Sequence, residues 1–223
     1  STGFIWTSTS SGLNRFNGSS FVQFHSENDS LSLPSENIRG LVQIDKRRIC
    51  SYGDGLHIVD TYTGQIRNLF IPYSEKKYQY KFNWIFTVKS NAAGDIFVMA
   101  RSGFYHFNKN YQLVYRYDHY SKDEVATSSF VFGRYLLMLD QTHLAIMSSS
   151  GIFYYNAAKK EFRKMNSSDC PAFAPFLDYP GQDYQFFEKT PGRLFVLKSF
   201  SDSLFYIDIA AKKTIGTTLP IAT

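Results

Sequence analysis

The chain has 223 residues and a formal net charge of +5, and aromatic side chains make up 17% of it. No apolar run approaches the roughly 20 residues that a membrane-spanning helix needs, and no signal-peptide pattern opens the sequence, so this segment is not expected to insert into a membrane. Its basic residues are scattered over turns without interleaved stacking aromatics, which argues against nucleic-acid binding.

The chain opens with a short pattern that returns further along the sequence. The strand-forming residues Ile5, Trp6 and Thr7 lead through small polar residues to the pair Gly12 and Leu13. A second run with alternating apolar residues follows. This order predicts two antiparallel strands joined by a tight turn.

Three later segments repeat this layout, each with a glycine between two strand-like runs, at Gly55, Gly103 and Gly151. A degraded copy without the glycine lies at 194–207. A period of about 40–50 residues built from short strands is typical of a β-propeller with one sheet, or blade, per repeat. We expect each glycine to need a positive φ or a close backbone approach.

The predicted fold is all-β, a β-propeller segment of about five repeats with an incomplete first blade. The repeats are predicted over 3–24, 37–69, 82–117, 128–165 and 183–218. Each complete repeat divides into strands A to D, from the inside of the propeller outwards. The predicted strands are 37–44, 48–52, 56–60 and 65–69; then 82–89, 95–100, 104–108 and 112–117; then 134–139, 143–148, 152–156 and 161–165; then 184–189, 193–198, 204–209 and 213–217. Segment 129–132 competes with 134–139 as an inner strand.

The first repeat has no strand A, and this leaves two interpretations. In one, residues 219–223 supply the missing strand and close a five-bladed ring. In the other, which we favour, the chain is part of a larger seven-bladed ring. The second interpretation predicts exposed sheet edges and self-association through the open ends.

Two stretches of the first repeats form a recognisable motif: Ile5-Trp6-Thr7-Ser8-Thr9 with Gly12-Leu13 and Phe16, and the connection Leu33-Pro34-Ser35-Glu36-Asn37-Ile38-Arg39. On these residues, the segment 3–69 resembles the two-component regulator propeller repeat. The resemblance fades later in the chain, where Phe97 stands in the place of Trp6 and the fifth repeat lacks the glycine.

This resemblance implies the periplasmic sensor region of a hybrid histidine kinase of the Bacteroidetes type. Such proteins respond to polysaccharide breakdown products and carry two seven-bladed propellers, an immunoglobulin-like domain, a membrane helix and cytoplasmic kinase parts. The implied ligand of the parent is an oligosaccharide, and the implied partners are the remaining blades and domains of the parent chain. The parent would be anchored in the inner membrane.

The residues themselves predict no catalytic or metal site and no cofactor. The five histidines lack metal-ligand spacing, and His57 and His106 hold equivalent places in strand C, as structural histidines do. Loop acids at 123, 124, 178 and 183 leave open a propeller enzyme, a lyase or a glycosidase. A general protein-interaction propeller is a third alternative.

Cys50 and Cys170 are interpreted as unrelated reduced thiols, although a single disulfide is possible.

The candidate ligand site lies where turns and connections between blades share one face. The connections 26–36, 70–81, 118–127 and 166–183 are long, and long loops on a rigid scaffold commonly bind ligands. Trp6 is expected in the core, whereas Trp84 stands at the start of an inner strand, near the predicted channel mouth. Sugar stacking and packing between blades are both possible for Trp84. The predicted site residues are Trp84, Arg101, Asp54, Asn83 and Tyr52.

Overall fold

The computed structural model describes residues 3–26, 32–73, 82–119, 132–178, 184–199 and 201–218. Within these ranges every sheet is antiparallel, and the sheets follow one another along the chain. The first has three strands: β1 (Ile5–Thr9), β2 (Gly12–Phe16) and β3 (Phe21–Phe24). The others have four: β4 (Ile38–Gln43), β5 (Arg48–Gly53), β6 (Gly55–Asp60) and β7 (Ile66–Leu69); β8 (Ile85–Ser90), β9 (Ile96–Ala100), β10 (Gly103–Phe107) and β11 (Leu113–Asp118); β12 (Gly133–Met138), β13 (His143–Ser148), β14 (Gly151–Asn156) and β15 (Glu161–Lys164); β16 (Tyr184–Thr190), β17 (Arg193–Lys198), β18 (Ser203–Asp208) and β19 (Lys213–Thr218).

The predicted fold class is confirmed: the chain is all-β and built from blades of the propeller type, with an incomplete first blade. Most strand bounds agree with the prediction to within one or two residues. The clearest difference is β8, which begins at Ile85 instead of residue 82. In the fourth blade β12 is the inner strand, while most of the competing segment, 129–131, lies outside the described residues. So does the proposed closing segment, 219–223.

The recurring glycine meets the predicted requirement in two different ways. Gly12, Gly55 and Gly151 have φ values of 107°, 129° and 118°, which L-residues with a Cβ rarely adopt. Gly103 has no such φ, but a Cβ on it would lie 1.9 Å from the carbonyl oxygen of Tyr117. Both constraints exclude a side chain at the turn before strand C.

The chain divides into two compact units, Ser1–Phe132 and Gly133–Thr223. In the first unit, the inner strand β4 contacts β1 on one side and β8 on the other. Two apolar clusters fill the spaces between these blades. One joins the first and second blades around Leu13, Leu33 and Val59, with Trp6 packed against it as predicted. The other joins the second and third blades around Leu56 and Ile85.

The second unit contains the fourth and fifth blades with a 3-10 helix, Pro171–Phe176, packed against them. The connection 166–183 was predicted as a long loop on the ligand face. Instead, its described part buries Phe173 and Phe176 in the apolar cluster of this unit. The Phe176 ring packs edge-on against Tyr184 and Phe205, both at 5.2 Å between centroids. Fully burying one such side chain is worth about 1.5–3 kcal/mol, so this segment is part of the core.

Both cysteines are free and buried, as the sequence interpretation favoured. Burial raises the pKa of Cys50 to about 12, because the thiolate would have no solvent around it. The thiol is therefore protonated and behaves as a small apolar side chain.

The strand C histidines are also buried, as predicted for structural residues. His57 is 0% exposed, and its Nδ1 lies 3.0 Å from Oδ1 of Asn68 on the neighbouring strand. Burial lowers the pKa of His57 from 6.5 to about 4. His106 is 4% exposed, and its ring lies 4.6 Å from that of Phe97.

The lowered pKa of His57 predicts loss of stability in mild acid. As the pH falls through 6.5, His57 of the unfolded chain becomes protonated, whereas His57 of the folded chain stays neutral until the pH nears 4. The free energy of unfolding should therefore fall by about 2 kcal/mol between about pH 7 and pH 5 from this group. Urea denaturation at several pH values measures it.

The variant His57→Gln removes this group and should show a correspondingly flatter pH dependence. Equal slopes for wild type and His57→Gln would contradict the assignment.

Candidate functional site

Three of the predicted site residues meet at one end of the second and third blades. Asp54 follows β5, Trp84 precedes β8 and Arg101 follows β9. Asp54 forms an isolated antiparallel bridge with Trp84, and the backbone N–H of Arg101 donates to the Trp84 carbonyl at 2.9 Å. The Trp84 backbone is therefore fixed from the neighbouring blade and from its own.

The Trp84 ring belongs to a small cluster of aromatic and cationic side chains. Phe86 lies beside it, with centroids 6.2 Å apart and an angle of 13° between the ring planes. The guanidinium carbon of Arg39 lies over both rings, 4.5 Å from the Trp84 centroid and 5.4 Å from that of Phe86. The guanidinium carbon of Arg101 lies 5.3 Å from the Trp84 centroid. We call Arg39, Trp84, Phe86 and Arg101 the Trp84 cluster.

These contacts change what Trp84 offers to a ligand. The sequence interpretation pictured an aromatic ring open for sugar stacking. In the structure a guanidinium covers the Trp84 ring, so a ligand that approaches over Arg39 meets the cation first. The buried indole Nε1 of Trp84 has no hydrogen-bond partner in the described ranges, but Trp6 shares that property. The feature that distinguishes Trp84 from Trp6 is therefore its pair of arginines, and not its N–H.

Asp54 orders the connection that leads into β4. Its carboxylate accepts hydrogen bonds from the Ser35 hydroxyl at 3.1 Å and from the Asn37 amide at 3.3 Å. Partial burial lowers the pKa of Arg39, and the negative charge of Asp54 counteracts that effect. Asp54 thus holds residues 35–37 in place and lies within the electrostatic reach of Arg39.

The other two predicted residues, Asn83 and Tyr52, lie beside the cluster and are engaged in packing. The buried Asn83 amide accepts from the Ile71 N–H at 2.6 Å and donates to the Ile71 carbonyl at 3.2 Å. Tyr52 packs against β4, where a Cβ on Gly40 would lie 2.4 Å from its hydroxyl oxygen. Burial raises the pKa of Tyr52.

Sequence reasoning missed Arg39 and Phe86 as site residues. Each lies at a register shift of the inner strand, between Ile38 and Gly40 in β4 and between Ile85 and Thr87 in β8. The inner strand of the fourth blade, β12, has a register shift at the equivalent position, between Gly133 and Tyr135. Such β-bulges re-aim side chains and are enriched near functional sites. Aligning Asn37-Ile38-Arg39 with Trp84-Ile85-Phe86 was the available signal.

The structure gives little support to hydrolytic chemistry. Ser51, His57 and Asn68 stand opposite one another on three neighbouring strands. However, Ser51 and His57 are 0% exposed, and in the described ranges the Ser51 hydroxyl makes no hydrogen bond to the imidazole. A nucleophile needs both that bond and access for a substrate.

Among the loop acids weighed for hydrolysis, Asp178 is exposed, while the acids at 123, 124 and 183 lie outside the described residues. Within the described ranges, no three His, Cys, Asp or Glu side chains come together as metal ligands. The same ranges contain no helix of the length and apolarity needed to cross a membrane.

Solved structures share this fold over nearly the whole chain. The extracellular domain attributed to the hybrid two-component system BT3049 of B. thetaiotaomicron is 16% identical, with a TM-score of 0.63 over 97% of this chain and 29% of that one. The extracellular domain attributed to the hybrid two-component system BT4673 of the same organism is 16% identical, with a TM-score of 0.69 over 100% of this chain and 30% of that one. PorZ, a surface component of the type-IX secretion system of Porphyromonas gingivalis, is 11% identical, with a TM-score of 0.55 over 98% of this chain and 26% of that one.

No protein-family model and no curated protein matches the sequence. At the identities above, likeness to solved structures shows the fold alone. The sequence-based resemblance to hybrid two-component sensor regions is confirmed at that level. The chain spans less than a third of the length of these structures.

The hydrogen bonds of Asn83 predict a role in stability. Asn83→Ala leaves the buried N–H and carbonyl of Ile71 without this partner, so the free energy of unfolding should fall by about 1–3 kcal/mol. Asn110 is exposed in a turn, and Asn110→Ala should change the free energy by less than about 0.5 kcal/mol. Chemical denaturation of both variants measures the difference, and an equal effect would refute the assignment.

Proposed function

We propose that this chain is an extracytoplasmic ligand-sensing segment of a hybrid two-component system, and that the ligand is an oligosaccharide. The observation that carries the proposal is the likeness to the BT3049 and BT4673 extracellular domains over 97% and 100% of the chain. The sequence resemblance of residues 3–69 to the regulator propeller repeat leads independently to the same class of protein.

The Trp84 cluster supports binding of a sugar ligand. Arginines held against aromatic rings at the ends of rigid strands present fixed hydrogen-bond donors to the polar oxygens of a sugar. The cluster is drawn from two successive blades, since Arg39 lies on β4 and Phe86 on β8. Ser51 and His57 are both buried and make no hydrogen bond to each other in the described ranges, which favours a binding role over catalysis.

The proposal extends to location and partners. The parent protein would lie in the periplasm, anchored in the inner membrane, and pass the signal to cytoplasmic kinase parts. In the described ranges the first sheet has the order β1-β2-β3, so one edge of β1 has no paired strand there. A strand from the remaining blades of the parent would cover that edge, or a second copy of the chain would do so.

A general protein-interaction propeller is the second candidate, and the likeness to PorZ favours it. PorZ is a component of a secretion system, and this chain matches it over 98% of its length. The TM-score of the PorZ match, 0.55, is lower than those of the two Bacteroides domains, so we place sensing first.

Oligosaccharide binding to the full-length protein tests the proposal. We expect calorimetry to detect binding, and we expect Trp84→Ala and Arg101→Ala to weaken it about tenfold or more, as truncating a central aromatic or arginine usually does. Tyr62 is an exposed aromatic residue in the turn between β6 and β7, and Tyr62→Ala should leave affinity unchanged.

Affinities of Trp84→Ala and Arg101→Ala within twofold of wild type would refute this site. Failure of every oligosaccharide to bind wild type would refute the sensing proposal. The gene gives a cheap second check, since we expect it to encode a membrane helix and a kinase domain after this segment.

A further inference from the structure

Arg39 is the exposed cation of the Trp84 cluster. The residue is exposed and lies in the bulge of β4, with its guanidinium over the rings of Trp84 and Phe86. A ligand that reaches the cluster over these rings meets this guanidinium before it meets the indole. The chemistry of Arg39 therefore decides which ligands bind.

No carboxylate forms an ion pair with Arg39 in the described part of the chain. Asp54 acts on it through its field alone, because the Asp54 carboxylate oxygens accept hydrogen bonds from Ser35 and Asn37. Most other exposed arginines in the described ranges differ in this respect. Arg47, for example, pairs with Asp60 at 2.5 Å, and Arg193 pairs with Asp208 at 3.1 Å.

The ring contacts also prepare Arg39 for binding an anion. Cation–π contact uses the face of the guanidinium, whereas its N–H donors point outward in the plane of the group. Rings beneath the group thus restrict its motion and leave its donors available. A guanidinium fork held in this way matches the paired oxygens of a carboxylate or a sulfate, and less ordering entropy is lost on binding.

Arg101 adds a second positive charge on the same indole, 5.3 Å from the ring centroid. It is buried, with a side chain that lies against Trp84, so it acts by holding the ring. The cation that remains exposed to a ligand is Arg39, which has no ion-pair partner in the described ranges. Neutral sugars gain nothing from its charge, and acidic sugars do.

We propose that the Trp84 cluster selects acidic oligosaccharides, and that Arg39 binds their uronate carboxylate or sulfate ester. This proposal rests on the sensing function proposed above and names the class of ligand. Trp84 and Phe86 hold the guanidinium of Arg39, and Asp54 fixes the chain segment that leads to it.

The test uses the full-length protein and matched pairs of oligosaccharides. The acidic members are an oligogalacturonate and a chondroitin sulfate fragment, and their partners are the carboxyl-reduced and the desulfated forms of the same chains. We expect at least one acidic member to bind about tenfold or more tightly than its neutralised partner, the contribution of a charge-assisted hydrogen bond. Comparing the two pairs shows whether the carboxylate or the sulfate is recognised.

Three variants locate the effect. Arg39→Gln should lose about tenfold or more in affinity for the acidic member, and Arg39→Lys should fall between it and wild type, because an ammonium keeps the charge but not the fork. Arg67 gives the matched control. It is exposed and lies 5.1 Å from the Tyr111 ring centroid, so Arg67→Gln removes an equivalent cation elsewhere in the same unit and should leave binding unchanged. Thermal unfolding of each variant verifies the fold.

The outcomes separate the two proposals. Equal binding of an acidic member and its neutralised partner overturns the selectivity for acidic sugars and leaves the sensing function intact. Binding by Arg39→Gln within twofold of wild type overturns the role of Arg39. Binding of no oligosaccharide to wild type overturns the sensing function, and the selectivity proposal with it.

Discussion

Each sheet of this protein is apolar on faces that a single blade cannot bury, and the rest of the structure depends on covering them. Leu13 of one blade and Val59 of the next share one cluster, and Leu56 and Ile85 share another. The burial of these side chains supplies the main favourable free energy of folding. It also fixes the ends of β5 and β8 next to each other, which brings Asp54 and Trp84 together.

The blade plan could be predicted from sequence because few residues specify it. A glycine before strand C and an alternation of apolar residues recur, and both have local causes, since Gly55 needs its positive φ and Gly103 its missing side chain. The 3-10 helix at Pro171–Phe176 could not be predicted, because tertiary burial of Phe173 and Phe176 determines it and no repeat precedent exists. The late start of β8 has a similar cause, because the Asn83 side chain forms its hydrogen bonds with the backbone of Ile71, which follows β7.

The site was predicted in part for the same reason. Repeat register places Asp54 and Arg101 in equivalent turns, so their approach to Trp84 follows from the blade plan. Arg39 was missed because its position depends on a bulge, and the single extra residue of a bulge shifts the alternation of apolar residues too briefly to be recognised in one strand. An exposed arginine in an inner strand looks like ordinary surface until the rings of the next blade are in place.

The bulged residues of the inner strands belong to the candidate site, whereas the residues of the apolar clusters hold the blades together. Arg39 and Phe86 occupy the same register position in successive blades, and the guanidinium of one lies 5.4 Å from the ring of the other. Neither side chain belongs to the apolar clusters between the blades. Under the proposed sensing function, a substitution at this position would change the groups presented to a ligand and leave the buried contacts as they are. Ligand specificity would then change through the pair of neighbouring bulges, not through a single residue, while the core stays the same.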